Sequence, residues 1–520
     1  MKFLKLLFTV AFIALQFASA NAQLKPNEID DLVNKTLKTF DVPGIQVGIV
    51  KDGKLIHAKG YGLRSLNTKQ PVDANTEFGI ASNTKAFTAF ALGMLIDENK
   101  LTWDTHVTDI IPEFKMYDPY VTSEFTVRDL LCHRSGLGLG AGDLMFWPDS
   151  NTFSKAEIIH NLRYLKPVSS FRTQYDYDNL LYIVAGEVVE RISGVSWENF
   201  IQTRIFKPLD IKNTYTTFRE MKDWSNVIDP HAPVNGQINV VRRDWSNNAN
   251  AAGGIYTNVS EMSKWMILLL NGGKYGANLE KRLISEKNFT ELWTPQTIIP
   301  VKSPGSYNTH FASYGLGWFI SDVKGYKQLT HTGGLAGIVT QTTLLPELNL
   351  AIMVYTNQQS GAAFNAITAT IKDSYLGIKG IDRVKEYSDK ERANFEEANK
   401  IVSEINSKIE TQAKNQSNIA LKSAQVLGEY QDPWFGLVTI SMKDNQLWFT
   451  SQKSLLLQGP MTYYNANTYL VKWIDRSFEA DAFVKFNLNT EGKASGFTME
   501  AISPLTDFSF DFQDLDFSRK

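Results

Sequence analysis

The stretch GIQVGIVKDGKLIHAKGYG, residues 44–62, carries two alternating apolar runs around Asp52-Gly53. An Asp-Gly pair between such runs is a strong short-range hairpin signal, because both residues accept the positive φ of a tight turn. Strand-like runs return only at residues 314–323, 337–346 and 350–357, with residues 346–349 turning between the last two. Helical patches and long polar loops fill the interval. One helix is expected from about Ser82 to Glu98, and an amphipathic one within residues 261–276, ended by Asn271-Gly272-Gly273. Antiparallel strands from both ends with helices inserted between them predict an α+β fold, a sheet flanked by helices with a helical insertion.

At 520 residues the chain exceeds the roughly 250–300 at which single cores stop growing. Its composition changes after about Leu376. Residues 383–416 are highly charged, with Phe395, Ala398, Val402, Ile405 and Ile409 spaced 3, 4, 3 and 4 apart. Such a narrow apolar stripe predicts an amphipathic connecting helix in preference to a disordered linker, and the heptads are too few to favour a coiled-coil dimer. From about Ala420, strand-like runs follow one another, from GLVTISMKDNQLWFT to FSFDFQDLDF. The expected division is a main domain over residues 23–376, a charged helical linker over 377–419, and a small all-β domain over 420–520. That last domain is expected to fold separately and to supply no catalytic group.

Residues 1–22 have the layout of a secretory signal peptide. Lys2 and Lys5 precede an apolar run from Leu6 to Leu15, and small-x-small sites follow at Ala18-Ser19-Ala20 and Ala20-Asn21-Ala22. A membrane anchor fits less well, since the run falls short of the ~20 residues a span requires. The mature protein is expected to be secreted or periplasmic, with no membrane span after signal removal. A formal net charge of −2 gives no support to nucleic acid or an anionic membrane surface as a partner. The single cysteine, Cys132, excludes an intrachain disulfide; with two leucines before it, it reads as a core thiol better than as a nucleophile.

Chemistry enters at FGIASNTKAFTAF, where Ser82 opens a helix and Lys85 follows in apolar company. At a spacing of three the two side chains share a helix face. Lysine can take a proton from serine only if its ammonium is disfavoured, and apolar burial does that. Two further segments bear on this pair. In TQYDYDNLLYIVAGEVVERISG, Tyr177 and Asn179 precede an apolar helix; Asn179 is either its cap or a positioning amide, with Tyr177 a proton relay. In QLTHTGGLAGIVT, His331, Thr332, Gly333 and Gly334 enter a strand, where the glycines either make a plain turn or let a substrate backbone come close.

S-x-x-K, then Y-x-N, then K/H-T-G, in this order, resembles the motif set of the serine β-lactamases and penicillin-binding proteins. The details are most similar to the class C β-lactamase-related branch, which includes esterases, D-aminopeptidases and D-peptidases. DLLCHRSGL at residues 129–137 and AAGGIYTNVSEMSKW at 251–265 resemble two supporting motifs of that branch. The resemblance covers about Asn27 to Leu376, and the β-rich tail is loosely similar to the small C-terminal domain of some peptidase-like members. It implies a β-lactamase-like sheet, with Ser82 as acylating nucleophile, Lys85 as proton acceptor and Tyr177 as general acid/base. It also implies an oxyanion hole from the backbone N–H groups of Ser82 and Gly334, and substrate contacts from Asn179, His331, Thr332 and Gly333. His331 is a departure, standing where most β-lactamases and transpeptidases have lysine.

Other chemistries are poorly represented. There is no G-x-x-x-x-G-K-S/T, no H-E-x-x-H and no G-x-S-x-G, and the seven histidines lack metal-ligand spacing. Neither metal nor cofactor is expected. The reading is an exported serine hydrolase that acts through an acyl-enzyme on a small-molecule or peptide substrate, as a peptidase or esterase. The alternatives are a β-lactamase or penicillin-binding enzyme, and a non-catalytic binding protein for wall fragments.

Overall fold

Asp52 and Gly53 adopt φ of 51° and 72° and turn β1 (Gly44–Lys51) into β2 (Lys54–Gly62), the hairpin their sequence signals. The computed structural model describes residues 23–415 and 421–520; the expected signal segment and the expected domain start at Ala420 lie outside them. Later in the chain come β3 (Thr297–Ile299), β4 (Ala312–Tyr314), β5 (Phe319–Val323), β6 (Tyr326–Leu335), β7 (Ile338–Leu345) and β8 (Leu350–Thr356). They join the hairpin in one antiparallel sheet of order β2-β1-β8-β7-β6-β5-β4-β3. Pairing of Val47 with Val354 and of Ile49 with Ile352 closes the two ends of the main domain on each other.

Residues 314–323, expected as one strand, form a hairpin instead. Gly317 takes φ of 82° between β4 and β5, and a Cβ there would lie 3.0 Å from the Lys85 carbonyl oxygen. The bend is therefore pressed against the first turn of the helix α2 (Lys85–Asp97). Residues 85–95 of α2 are buried on every side, as an all-round apolar helix must be. It packs with α3 (Leu180–Ser193) and α4 (Val259–Leu270) on one face of the sheet. The other face is covered by α1 (Pro26–Thr39) and α5 (Gly361–Leu376), through Ile29, Val33, Phe364 and Ile367 against Val47, Ile352 and Val354.

The charged segment forms one long helix, α6 (Arg383–Asn415). Ile405 is buried against Leu470 and Ile502, with Val402 and Ile409 beside it, whereas Phe395 leaves the stripe and is exposed. The wall it meets is a closed barrel of β9 (Gly428–Asp432), β10 (Gly436–Lys443), β11 (Gln446–Ser451), β12 (Gln458–Asn465), β13 (Thr468–Val471), β14 (Ala482–Leu488), β15 (Ala494–Ala501) and β16 (Asp516–Arg519). Closure removes the unpaired edges an open sheet would expose. FSFDFQDLDF is mostly not strand: only Asp516–Arg519 joins the ladder. The polar atoms of the preceding residues are engaged locally and across the domain boundary, Asp507 Oδ1 with the Ser509 N–H at 2.9 Å and Asp511 Oδ2 with the Gly142 N–H at 2.5 Å.

The barrel does not stand apart. One continuous apolar cluster runs from Phe78 to Phe517 through Trp147, Phe435 and Phe510. Asn161 donates to the Trp434 carbonyl at 2.8 Å, and Lys453 pairs with Glu157 at 2.6 Å.

The start of α6 is pinned by a side-on pair. Arg383 Nε and Nη2 reach the two oxygens of Asp373 at 2.7 and 3.2 Å, with side-chain exposures of only 4% and 8%. Removing one partner of such a pair leaves an uncompensated buried charge, at a cost of about 3–5 kcal/mol. Arg383→Met is expected to lower the urea-unfolding free energy by that order. Lys385→Met, which breaks the exposed pair with Asp389, should cost no more than about 1 kcal/mol. Equal losses in the two variants would remove Arg383 from this anchoring role.

Candidate active site

The turn that presents Ser82 is strained and braced. Ala81 sits at φ of 48°, a left-handed conformation that costs a β-carbon residue about 1–2 kcal/mol. Asn83 Nδ2 donates to the Ile80 carbonyl at 3.1 Å and to Thr340 Oγ1 at 2.9 Å, and Thr340 Oγ1 donates to the same carbonyl at 3.0 Å. Strand β6 lies hard against this turn. A Cβ on Gly333 would come 2.2 Å from the Ile80 oxygen, so only glycine lets the strand approach. Along β6 the side chains alternate: His331, Gly333 and Leu335 face inward, and Thr332 and Gly334 face the open cleft.

Lys85 is fully buried, and its Nζ meets three oxygens. Asn179 Oδ1 lies at 2.7 Å, the Ala252 carbonyl at 3.0 Å and Ser82 Oγ at 3.0 Å. Burial pulls its pKa down to about 7, against the opposing pull of the Asp143 and Asp178 carboxyls. The Asn179 amide is not the helix cap. That place belongs to Asp178, whose Oδ1 accepts from the Leu180 N–H at 2.9 Å and whose pKa burial raises to about 7. Asn179 instead points its oxygen at Lys85 and donates through Nδ2 to Asp143 Oδ2 at 2.8 Å.

The Tyr177 ring lies 4.8 Å from Lys85 Nζ and 4.3 Å from the His133 ring, both distances to ring centres. Its hydroxyl is buried, and burial drives its pKa upward against the opposing pull of the Ser82 side chain beside it. It is a phenol, not a phenolate, throughout neutral pH. His133 accepts from the Asp178 N–H through Nδ1 at 3.1 Å, which braces the loop that carries Tyr177.

His331 lies in the same group, but its nitrogens are occupied. Nδ1–H donates to the Thr332 carbonyl at 2.6 Å, so Nε2 is the acceptor, and the Tyr314 hydroxyl fills it at 2.8 Å. Burial and the nearby Lys85 hold the imidazole at a pKa of about 3. It presents neither a charge nor a free donor to the cleft. Cys132 is buried and its thiol is pushed up to about 12, as a core residue should be.

Ser82, Tyr177, Asn179 and His331 floor a cleft of about 470 Å³. Aromatic side chains dominate its walls: Trp147, Tyr175, Trp245 and Phe319 from the main domain, and Phe478, Phe508 and Phe510 from the barrel. Phe508 packs edge-on to Tyr177 with ring centres 5.8 Å apart. Glu479 and Asp507 also line the cleft, and no Lys or Arg does so among the described residues. Sequence reasoning missed Asp143 and the whole barrel contribution. Asp143 carried a usable signal, an acid immediately before the apolar run Leu144–Trp147, an anomaly akin to that of Lys85. Phe508 and Ser509 had none, because nothing local says which loop of a barrel turns toward another domain.

The Beta-lactamase family model matches residues 29–376, and that of a domain of unknown function, DUF3471, matches residues 412–519. The chain is 28% identical over 380 residues to the unguisins hydrolase ungD' of Aspergillus campestris, which covers 70% of this chain and 68% of that protein. It is 27% identical to the unguisins hydrolase ungD of Aspergillus violaceofuscus, over 68% of this chain and 65% of the relative. For protein flp of Staphylococcus aureus the identity is 26%, over 64% and 63%. The matched region thus spans about two thirds of the length of each relative. The structure of the octameric penicillin-binding protein homologue from Pyrococcus abyssi shares the fold, with a TM-score of 0.60 at 20% identity over 93% of this chain and 99% of that one. With the family model spanning most of the chain over the same strands, helices and cleft, the protein belongs to the Beta-lactamase family, the serine β-lactamase and penicillin-binding-protein superfamily of serine hydrolases.

Proposed function

We propose that the protein is an exported serine hydrolase that cleaves ester or amide bonds through an acyl-enzyme on Ser82. The observation that carries this reading is the environment of Lys85 Nζ. Asn179 Oδ1 and the Ala252 carbonyl can only accept, so a neutral amine donates its two N–H bonds to them. The remaining tetrahedral direction, that of the lone pair, faces Ser82 Oγ at 3.0 Å. As Oγ attacks a substrate carbonyl carbon, its proton passes to Nζ. The ammonium so formed keeps all three neighbours as acceptors. The oxyanion is held by the backbone N–H groups of Ser82 and Gly334, where loss of one donor costs about 3–4 kcal/mol. Tyr177, a protonated phenol beside Ser82, gives its proton to the leaving group and regains one from Lys85. Water then takes the leaving group's place and the same transfers run in reverse.

The walls favour an apolar substrate that is neutral or carries an amine. No guanidinium or ammonium lines the cleft among the described residues to hold a carboxylate, and His331 is a neutral imidazole with both nitrogens engaged. Esters, amides and peptides therefore fit better than penicillins, whose carboxylate would enter without a charged partner. Two relatives are named as hydrolases, which agrees with bond cleavage. The Lys2–Ala22 layout supports delivery to the periplasm or outside the cell.

Intact-mass analysis with a fluorophosphonate should show one adduct, on Ser82, and none in Ser82→Ala. Lys85→Ala should acylate about 10²–10⁴ times more slowly. An adduct on another serine would reject the assignment. The pH profile supplies a second check. Only the neutral amine can accept a proton, so kcat/KM should fall tenfold per unit below the Lys85 pKa of about 7 and level off above it. Asp178 titrates nearby at about 7, so the acid limb must persist in Asp178→Asn. A profile with its maximum below pH 6 would place the base elsewhere. Finally, kcat/KM for a neutral phenylalkyl ester should exceed that for ampicillin at least tenfold. The reverse order would contradict the account of the cleft given by His331 and its neighbours.

A further inference from the structure

Among the described residues Asp143 is the acid whose side chain is hydrogen-bonded to the Ser82–Lys85–Asn179 unit, and it is tied in turn to the barrel. It is fully buried among Leu144, Met145 and Phe146, a setting that penalises a carboxyl unless its oxygens are paired. Its Oδ2 accepts from two donors, Asn179 Nδ2 at 2.8 Å and Ser509 Oγ at 2.8 Å, while Oδ1 has no partner among the described residues. Ser509 belongs to the segment between β15 and β16. The same segment reaches the neighbouring Gly142 N–H through Asp511, and a Cβ on Gly140 would meet the Phe508 carbonyl oxygen at 2.6 Å. Main domain and barrel are thus in contact at backbone level where Asp143 sits.

We propose that Ser509 and Asp143 are positioning residues, a hydrogen-bonded strut by which the barrel fixes the amide orientation of Asn179 and so the direction of the Lys85 lone pair. The two ends of a carboxamide have nearly the same shape, so only their partners decide which end faces where. With Asp143 on one side, the NH₂ end faces the carboxyl and the oxygen faces Lys85. Without a held acceptor at that side, the amide is free to turn and present N–H to an amine that is itself a donor. Lys85 then loses one of the two acceptors that aim its lone pair at Ser82. Ser509 matters because an acid with a single partner can rotate about its χ2 angle. A second donor from a different domain removes that freedom. Docking of the barrel is on this view a condition for full acylation, although no barrel atom touches the reacting bond.

The inference rests on the hydrolase reading above. Its test uses the full chain and the rate of Ser82 phosphonylation by a fluorophosphonate, in which Oγ displaces fluoride from phosphorus. Ser509→Ala should be labelled about 5–10 times more slowly, the factor expected for one hydrogen bond, with KM for a small ester unchanged. Ser509→Thr, which keeps the hydroxyl, should recover most of the rate, while Ser509→Val should not. That pair serves if the alanine variant fails to fold. The decisive comparison is with Asn179→Ala, in which the strut has nothing left to orient. There Ser509→Ala should cost nothing further, whereas a merely structural role would cost the same factor in both backgrounds. Additive losses, or a Ser509→Ala variant as fast as the parent, would overturn the strut. Failure of the parent itself to label at Ser82 would instead overturn the hydrolase reading.

Discussion

A lysine ammonium enclosed by protein is held only where enough acceptors surround it, and Lys85 has three. Much of the surrounding structure can be traced to that requirement. Helix α2 is buried on every side along Lys85–Leu95, which encloses the amine, and the Gly317 bend presses on its first turn. Asn179 comes from the start of α3 and the Ala252 carbonyl from the approach to α4, which brings three separate segments to one nitrogen. Gly333 lets β6 close over the Ser82 turn. The chemical outcome is an amine poised near neutrality beside a hydroxyl, in a cleft whose other polar groups are either neutral or acidic.

How much of this was legible follows from where each signal lies. The β1–β2 hairpin, β7, β8, α4 and the long α6 are specified by local patterns: an Asp-Gly turn, alternation, a Gly-Gly stop, a repeating stripe. Ser82 and Lys85 were visible because a charge inside an apolar run is a local contradiction. Strand continuity across residues 314–323 misled, since the demand that bends the chain at Gly317 comes from Lys85, far away in sequence. The two readings of Asn179 could not be separated locally either, because the residue that caps α3 is its immediate neighbour Asp178. His331 was legible as an unusual residue, but its Tyr314 partner was not. That contact decides whether the imidazole offers anything to a ligand. The barrel's place at the cleft is a tertiary fact with no local trace.

The pairing of β1 with β8 also sets the order in which the molecule can be made. Seven of the eight residues of β1 are buried, yet its inner partner emerges only after some three hundred further residues have been synthesised. Contacts of such long separation carry a large loop-closure penalty and form late. Until then the newly made hairpin presents an apolar strand with an open edge, and the exposed Lys54 and Lys59 on β2 guard only the opposite side. The cleft is later still, because Phe508 and Phe510 follow β8 by some hundred and fifty further residues. A chain made only as far as β8 therefore has its serine and its lysine but not all the walls around them, and the site is completed only once the barrel has been added.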